Sequence, residues 1–438
     1  MTAGFFDRCR SEHFASLSSF DGEHRTQEST MRKEHCIRLA ALFAVLLLFP
    51  LPAMSLPSNS MGAVASPQNA RHKRAISKKG NKRQALRRKG KKRILRSRAE
   101  VGILVLDEAG NTVLEQEGDQ PFNPASAVKV ITAYGIICRL GIERKFSTRV
   151  FIDGNLSQSG QLAGNLYIES DDPDFSYSDV AMLKDNLERL GLRKVNGDLV
   201  VSPAFSFGWS DNAFVSAGNL IRALKGRKDA PGISIKGRVR IGLPPQSANM
   251  LFEQNSEPLR ETLKFMLSYS VNGLAERLGR ILGGPAALAE IVKQRLGIDA
   301  REIRLSSTSG LGRSRVTPRA MMDVIVALRA ELKASGYNLQ DILPVAGIDQ
   351  GTLAKRFTSP GERGSVVGKT GTLGRTDSGV SSLVGVLGSR QGVLYFVIFC
   401  WHGRVAAFRR QQDTLVREWQ NERGGAEPFA YQPPTALS

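Results

Sequence analysis

The chain has 438 residues, 4 cysteines, 5 histidines and a formal net charge of +20, and it is long enough for two or three domains around a sizeable core. So strong a positive charge raises nucleic-acid binding, but the charge is concentrated: Arg71 to Arg98 holds fifteen Lys/Arg and no acid, residues 1–70 balance six basic against six acidic residues, and Ala99 onward carries only +5. No Cys-x-x-Cys or Cys/His cluster with metal spacing occurs, so neither a metal nor a cofactor is expected. Only His402 lies beyond the basic tract, which leaves a Ser-His-Asp hydrolase almost no material.

From Met31 the chain reads as a secretory signal. Arg32, Lys33 and Arg38 form a basic start, Leu39 to Leu51 an apolar core too short for a membrane span, and Ala53-Met54-Ser55 a small-residue cleavage site. Export to the periplasm or cell envelope is the expectation, with an uncleaved N-terminal anchor as the alternative; residues 1–30 read as an extension upstream of that signal. Residues 56–99 have no apolar periodicity and end in the basic tract, which predicts a disordered linker. Two readings stand for it: a solvated spacer, or a polycation that contacts anionic envelope polymers or a membrane surface. Nucleic acid would require the chain to stay inside the cell.

The folded part opens with Val101, Ile103 and Val105 in alternation, a turn at Asp107 to Asn111, and a second strand at Thr112 to Gln116. Asn123 as N-cap and Pro124 at the first helical position predict a helix from Pro124 to Leu140, stopped by Gly141. It is apolar around most of its circumference and therefore buried and central. Residues 146–254 read as an inserted strand-rich α/β block, with strands near Thr148–Ile152, Gly164–Ser170, Asp198–Val201 and Val239–Gly242, and a helix at Ser178–Leu190. Helices return with Leu259, Leu263, Met266 and Leu267, then with Leu274, Leu278 and Leu282, and again after the cap Thr317-Pro318. Three strands follow, Ser365–Leu373, Ser381–Leu387 and Val393–Trp401, and a polar helix over Val405–Gln420. Cys138 and Cys400 both sit in apolar runs, which favours two separate buried thiols over a disulfide.

Three short motifs carry the chemistry. Ser126 and Lys129 lie three residues apart at the start of the buried helix, so the amine reaches the serine hydroxyl. Burial removes hydration from the ammonium and favours the neutral amine, a base for the serine. Ser270-Val271-Asn272 falls between two helices, and Lys369-Thr370-Gly371-Thr372 in the first late strand. A Ser-x-x-Lys string alone arises readily by chance, and each of the other two is weak alone. The three in this order match the set of penicillin-binding proteins and class A β-lactamases, whose middle motif is Ser-Asp-Asn. Acyl transfer to serine needs a base, a proton route to the leaving amine, donors for the oxyanion and a cation for a substrate carboxylate. Ser126 supplies the nucleophile, Lys129 the base and Ser270 the proton relay. Asn272 is placed to bond the substrate amide, and Lys369 with Thr370 and Thr372 to hold a terminal carboxylate. Gly371, without a side chain, lets an extended substrate lie along the strand. The backbone N–H groups of Ser126 and Thr372 are the expected oxyanion donors.

From about Val101 to Gly403 the sequence resembles the class C low-molecular-mass penicillin-binding D-alanyl-D-alanine carboxypeptidase/endopeptidases, peptidase family S13. Beyond the three motifs, the resemblance rests on "NPASAVKVITAYG", "LYIESDDPDF", "SGLGRSRVTP" and "LPVAGIDQGTLAKRF" followed by "GKTGTL". It implies an α/β fold of the serine β-lactamase/transpeptidase type, an antiparallel sheet flanked by helices with a helical subdomain, interrupted after the nucleophile helix. The expected division is a leader (1–55), the linker (56–99), the two parts of the transpeptidase-like domain (100–145 and 255–425) around the insert (146–254), and a tail (426–438). The short spacing from Ser126 to Ser270 implies that one inserted domain of the larger members is reduced or missing. Val271 in place of Asp, the turn Ser170-Asp171-Asp172-Pro173 and "SSTSGLG" depart from the family pattern and bear on rate and on side-chain recognition. The resemblance implies an exported serine carboxypeptidase/endopeptidase that acts on peptidoglycan stem peptides and is acylated by β-lactams. Two alternatives stand beside it: a non-catalytic envelope-binding protein of the same fold, which intact Ser126, Lys129 and Lys369 argue against, and a related serine esterase or D-amino-acid peptidase. No Glu is assignable as a dedicated deacylation base, which argues against efficient β-lactamase activity.

Overall fold

The computed structural model describes residues 100–208, 210–226 and 232–433; the leader and the basic linker read from the sequence lie outside them. In chain order, a hairpin of β1 (Glu100–Asp107) and β2 (Thr112–Gln116) leads into α1 (Val128–Leu140). A second block follows: β3 (Ser147–Ile152), β4 (Asn155–Leu156), β5 (Gln161–Ala163), β6 (Leu166–Ser170), α2 (Tyr177–Arg189), β7 (Lys194–Val195), β8 (Leu199–Val201), α3 (Ala213–Leu224), β9 (Ser234–Ile235), β10 (Val239–Ile241) and β11 (Asn249–Asn255). Then come α4 (Leu259–Tyr269), α5 (Asn272–Ile281), α6 (Gly284–Leu296), β12 (Ile303–Arg304), β13 (Arg315–Val316) and α7 (Pro318–Ala334). The chain ends on β14 (Val366–Leu373), β15 (Val380–Ser389), β16 (Gly392–Trp401) and α8 (Val405–Glu422).

The first sheet has the order β14-β15-β16-β1-β2 and is antiparallel throughout. Its first hairpin thus pairs with its last strand, across nearly the whole described chain. All ten residues of β15 are buried, as expected of a central strand covered on both faces, whereas every residue of β2 is exposed at the edge. One face packs on α1 and its neighbours through Ala133, Ile136, Leu278, Leu288, Ile325, Val384 and Val397. The other packs on α8 through Phe396, Phe408, Val416 and Trp419. A second sheet, β10-β8-β6-β3-β11, is built from residues between Ser147 and Asn255 and has its own core with α2 and α3. Arg277 on α5 ties that block to the helices, donating to the Pro173 carbonyl at 2.9 Å and to Asp211 at 2.7 Å.

Local chemistry sets the helix starts. Ser176 and Asp179 form a capping box at α2, the Asn212 side chain caps α3, and Thr317 with Pro318 starts α7. The sequence pattern does not mark α3, α6, β11 or the two- and three-residue strands β4, β5, β7, β9, β12 and β13. A polar strand such as Asn249–Asn255 shows little alternation, and α6 opens on Gly283-Gly284-Pro285, which reads as a break. The nucleophile helix also starts differently. Ala125 has φ +47° and lies in a 3-10 turn (Ala125–Ala127), and regular α-helix begins at Val128. Cys138 is half-buried and Cys400 buried, and they are unpaired. Among the described residues, no helix is long and apolar enough to cross a membrane.

Candidate active site

Three elements converge on one pocket of about 590 Å³, walled by Ser126, Ser270, Asn272, Thr370 and Thr372 among others. Ser126 comes from the 3-10 turn ahead of α1. Ser270 occupies the left-handed cap of α4 (φ +58°) in a two-residue turn that delivers Asn272 as the first residue of α5. Thr370 and Thr372 come from β14, an edge strand of the first sheet. In the same strand, Gly368 N–H donates to Pro344 and the Val366 carbonyl accepts from Ala346, so the even-numbered residues direct their backbone groups away from β15. By alternation, Thr370 and Thr372 present theirs to the pocket side.

Behind the pocket wall stand two fully buried lysines, Lys129 and Lys369. Lys129 Nζ lies 3.1 Å from Ser126 Oγ, 2.7 Å from Asn272 Oδ1 and 2.7 Å from the Ser309 carbonyl oxygen; as the ammonium it donates to all three, and as the neutral amine it keeps its two donors for Asn272 and Ser309 and turns its lone pair to the Ser126 hydroxyl. Burial brings its pKa down from the usual 10.5 to about 7, against the opposing charge of Glu276. Lys369 Nζ donates to Ser270 Oγ (3.0 Å) and the Thr370 carbonyl (2.7 Å). Burial drives its pKa far down, and Lys129 nearby pushes in the same direction. Both amines therefore touch a pocket hydroxyl, Lys129 that of Ser126 and Lys369 that of Ser270. The structure thus brings Ser126, Lys129, Ser270, Asn272, Lys369, Thr370 and Thr372 into one contiguous cluster.

Gly371 is explained by packing. A side chain there would run into the Pro124 carbonyl oxygen and come within 3.2 Å of the Ala127 nitrogen, so its glycine lets β14 approach the nucleophile turn. This packing role stands beside the substrate clearance expected of Gly371 from its motif. Gly310, at φ +85°, plays the matching part on the other side, where a Cβ would meet the Ala125 carbonyl oxygen.

Several supporting residues lie outside the three catalytic motifs. Glu276, one turn into α5 from Asn272, accepts from Thr308 Oγ1 (2.8 Å) and Ser309 N–H (3.0 Å), fixing the loop whose carbonyl receives Lys129. Its position four residues after Asn272 on a helix was the available signal. Asn123 accepts from Ala125 N–H (3.0 Å) and donates to Gly312 O (3.0 Å) and Asp377 Oδ2 (2.8 Å); Arg315 grips Asp377 with two nitrogens at 3.0 and 3.1 Å. This network locks the strained Ala125 turn to the loop after β14, a contact across 254 residues that no local pattern announces. Burial pushes Asp172 in the "SDDP" turn, and Asp174 just after it, up to about 7.

An antiparallel sheet between a buried nucleophile helix and a terminal helix, with Ser-x-x-Lys, Ser-x-Asn and Lys-Thr-Gly meeting at one pocket, defines the fold of the penicillin-recognising serine enzymes. The profile of the D-Ala-D-Ala carboxypeptidase 3 (S13) family matches residues 91–207 and 209–420, and the chain belongs to this family of D-Ala-D-Ala carboxypeptidases. Carboxypeptidase Rv3627c of Mycobacterium tuberculosis is 29% identical over 359 residues, covering 70% of this chain and 77% of the relative. Among solved structures, the Bd3459 predatory endopeptidase of Bdellovibrio bacteriovorus superposes with a TM-score of 0.67 at 20% identity, covering 77% of this chain and 97% of that one. Penicillin binding protein 4 (dacB) of Haemophilus influenzae superposes at 0.59 and 22% identity, covering 73% and 96%. Both share the fold.

Proposed function

We propose that the chain is an exported serine D-Ala-D-Ala carboxypeptidase/endopeptidase that cleaves peptidoglycan stem peptides through an acyl-serine intermediate on Ser126. The observation that carries this is the contact between Ser126 Oγ and an amine with three neutral acceptors and a pKa near 7. A neutral Lys129 takes the hydroxyl proton as Ser126 attacks the carbonyl of the penultimate D-Ala. The oxyanion is received by the backbone N–H groups of Ser126 and Thr372. Ser270, oriented by the Lys369 amine that donates to its oxygen, gives its own proton to the leaving nitrogen and is reprotonated by the one Lys129 took from Ser126, which returns Lys129 to the neutral amine. Asn272 gives its oxygen to Lys129 and keeps its NH₂ for the substrate amide. Water then attacks the acyl-enzyme, with Lys129 again as base. The substrate lies as an added strand along the open edge of β14.

The family assignment supports the substrate class, and the penicillin G-acylated form of the Bdellovibrio endopeptidase supports β-lactams as acylating inhibitors. The basic-apolar-small segment from Met31 supports export, and the fifteen Lys/Arg of Arg71 to Arg98 support attachment to an anionic envelope polymer or membrane surface. The two transpeptidase parts (100–145 and 255–425) form the catalytic domain, and the insert (146–254), joined to α5 by Arg277, borders it.

Labelling by a fluorescent penicillin tests the assignment. The wild-type chain takes up covalent label and releases D-Ala from a D-Ala-D-Ala peptide; Ser126→Ala, still folded, loses both, the turnover by at least about 10³-fold. Label retained by Ser126→Ala would refute it.

A further inference from the structure

Of the three cations that line the pocket, Arg356 is held in an ion pair; among the described residues Lys355 and Arg409 are not, and of these two Arg409 is the one bonded to a hydroxyl of β14. Lys369, the carboxylate-holding cation expected from its motif, is fully buried, holds Ser270 and the Thr370 carbonyl, and is absent from the pocket wall. Arg356 does line the pocket, but two of its nitrogens bind Asp413, Nε at 2.8 Å. Arg409 differs from both. It stands on α8, exposed, one turn ahead of Asp413, and its Nη2 donates to Thr372 Oγ1 at 3.0 Å. Among the described residues it forms no ion pair within 4.0 Å, so its charge is uncompensated at the mouth of the pocket.

Its position along β14 matters as much as its charge. A peptide laid along the open edge, with its scissile carbonyl between the N–H groups of Ser126 and Thr372, carries the carbon bonded to the leaving nitrogen two bonds beyond that carbonyl, and a carboxyl carbon attached to it about 3.5 Å beyond, one residue along an extended chain. A carboxylate on that carbon falls beside the hydroxyls of Thr370 and Thr372, and Arg409 already touches the second. A guanidinium offers planar paired donors to a carboxylate, and its exposure leaves those donors reachable.

Resting on the acyl-serine reading above, we propose that Arg409 is the specificity residue for a carboxylate on the carbon bonded to the leaving nitrogen, which it holds together with the Thr370 and Thr372 hydroxyls. The buried Lys369 then serves Ser270 and the strand rather than the ligand. A charged hydrogen bond of this kind corresponds to a discrimination of about 10- to 100-fold.

The test uses two acyl-thioesters with the same D-alanyl acyl group, whose leaving thiols are mercaptoacetate and its methyl ester, so that one carries the carboxylate and the other does not. The readout is the ratio of kcat/KM, charged over neutral. Arg409→Gln lowers this ratio about 10- to 100-fold, and Arg409→Lys restores part of it. An unchanged ratio in Arg409→Gln overturns the proposal. Equal losses on both esters would do so too, because they would mean that Arg409 merely orients Thr372. Intact-mass measurement separates this from failure of the underlying reading. Wild-type chain that gains no acyl mass from either ester, or gains it equally in Ser126→Ala, sinks the acyl-serine site itself and this inference with it.

Discussion

Lys129 and Lys264 are both fully buried lysines in the same core, and they are held in opposite ways. Lys264, on α4, meets Asp349 at 2.6 Å and two backbone carbonyls at 2.8 Å, with the Tyr431 ring 4.6 Å from its nitrogen. Asp349 is in turn bonded by Val345 N–H and Tyr431 O–H, both at 2.7 Å. Burial lowers the pKa of Lys264, but the adjacent carboxylate opposes it. Lys129 has no carboxylate partner. Its three contacts are neutral oxygens, and the nearest opposing charge, Glu276, acts through the Thr308-Ser309 loop. Burial with a carboxylate makes a fixed ion pair that anchors the chain end to α4; burial without one makes a base. Residue type and exposure are the same in both places, so function here follows from what was withheld.

Substitution breaks this comparison in opposite directions. Lys129→Met has the largest expected effect on chemistry: acylation by a β-lactam falls by at least about 10³-fold, while the thermal midpoint stays level or rises, since no amine needs burying. A clear loss of stability in that variant would show Lys129 to be structural after all. Asp349→Asn should have the largest effect on stability, about 3–5 kcal/mol by denaturant unfolding, because it leaves the Lys264 ammonium buried without its counter-charge. In whatever fraction stays folded, the pH dependence of acylation should match wild type; a shifted profile would mean the two lysines are coupled. Glu276→Gln sharpens the contrast most gently. It removes the charge that raises Lys129, so the midpoint of the acylation pH profile moves to lower pH by less than about one unit; an upward move would contradict the assigned sign.

The sequence exposed the parts of this arrangement that are local. Ser126 and Lys129 share a helix face, Ser270 and Asn272 share a turn, and Lys369 to Thr372 share a strand, so short-range periodicity was enough to mark them as candidates. The strands of the first sheet are equally legible, because β1 carries Val101, Ile103 and Val105 in alternation, β15 is rich in Val and Leu, and β16 is an almost unbroken apolar run. What escaped was set by distant contacts. The strained turn at Ala125 is held by Asn123, Asp377 and Arg315, which meet only after the sheet closes. Gly371 was noticed for its missing side chain, yet the group that fills the space, the Pro124 carbonyl, lies on another element. Lys369 looked like a cation for substrate because a motif shows residue type and not burial, and its engagement with Ser270 became visible only in the assembled site.

The most direct test is the pre-steady-state rate of acylation of the wild-type chain by a β-lactam, followed from pH 5 to pH 10. With the pKa of Lys129 near 7, the protonated lysine is inactive below that point. The rate should rise about tenfold per unit at low pH and level off above about pH 7. A rate independent of pH across this range, or one still climbing toward pH 10 as for an ordinary exposed lysine, would contradict a neutral Lys129 as the base for Ser126.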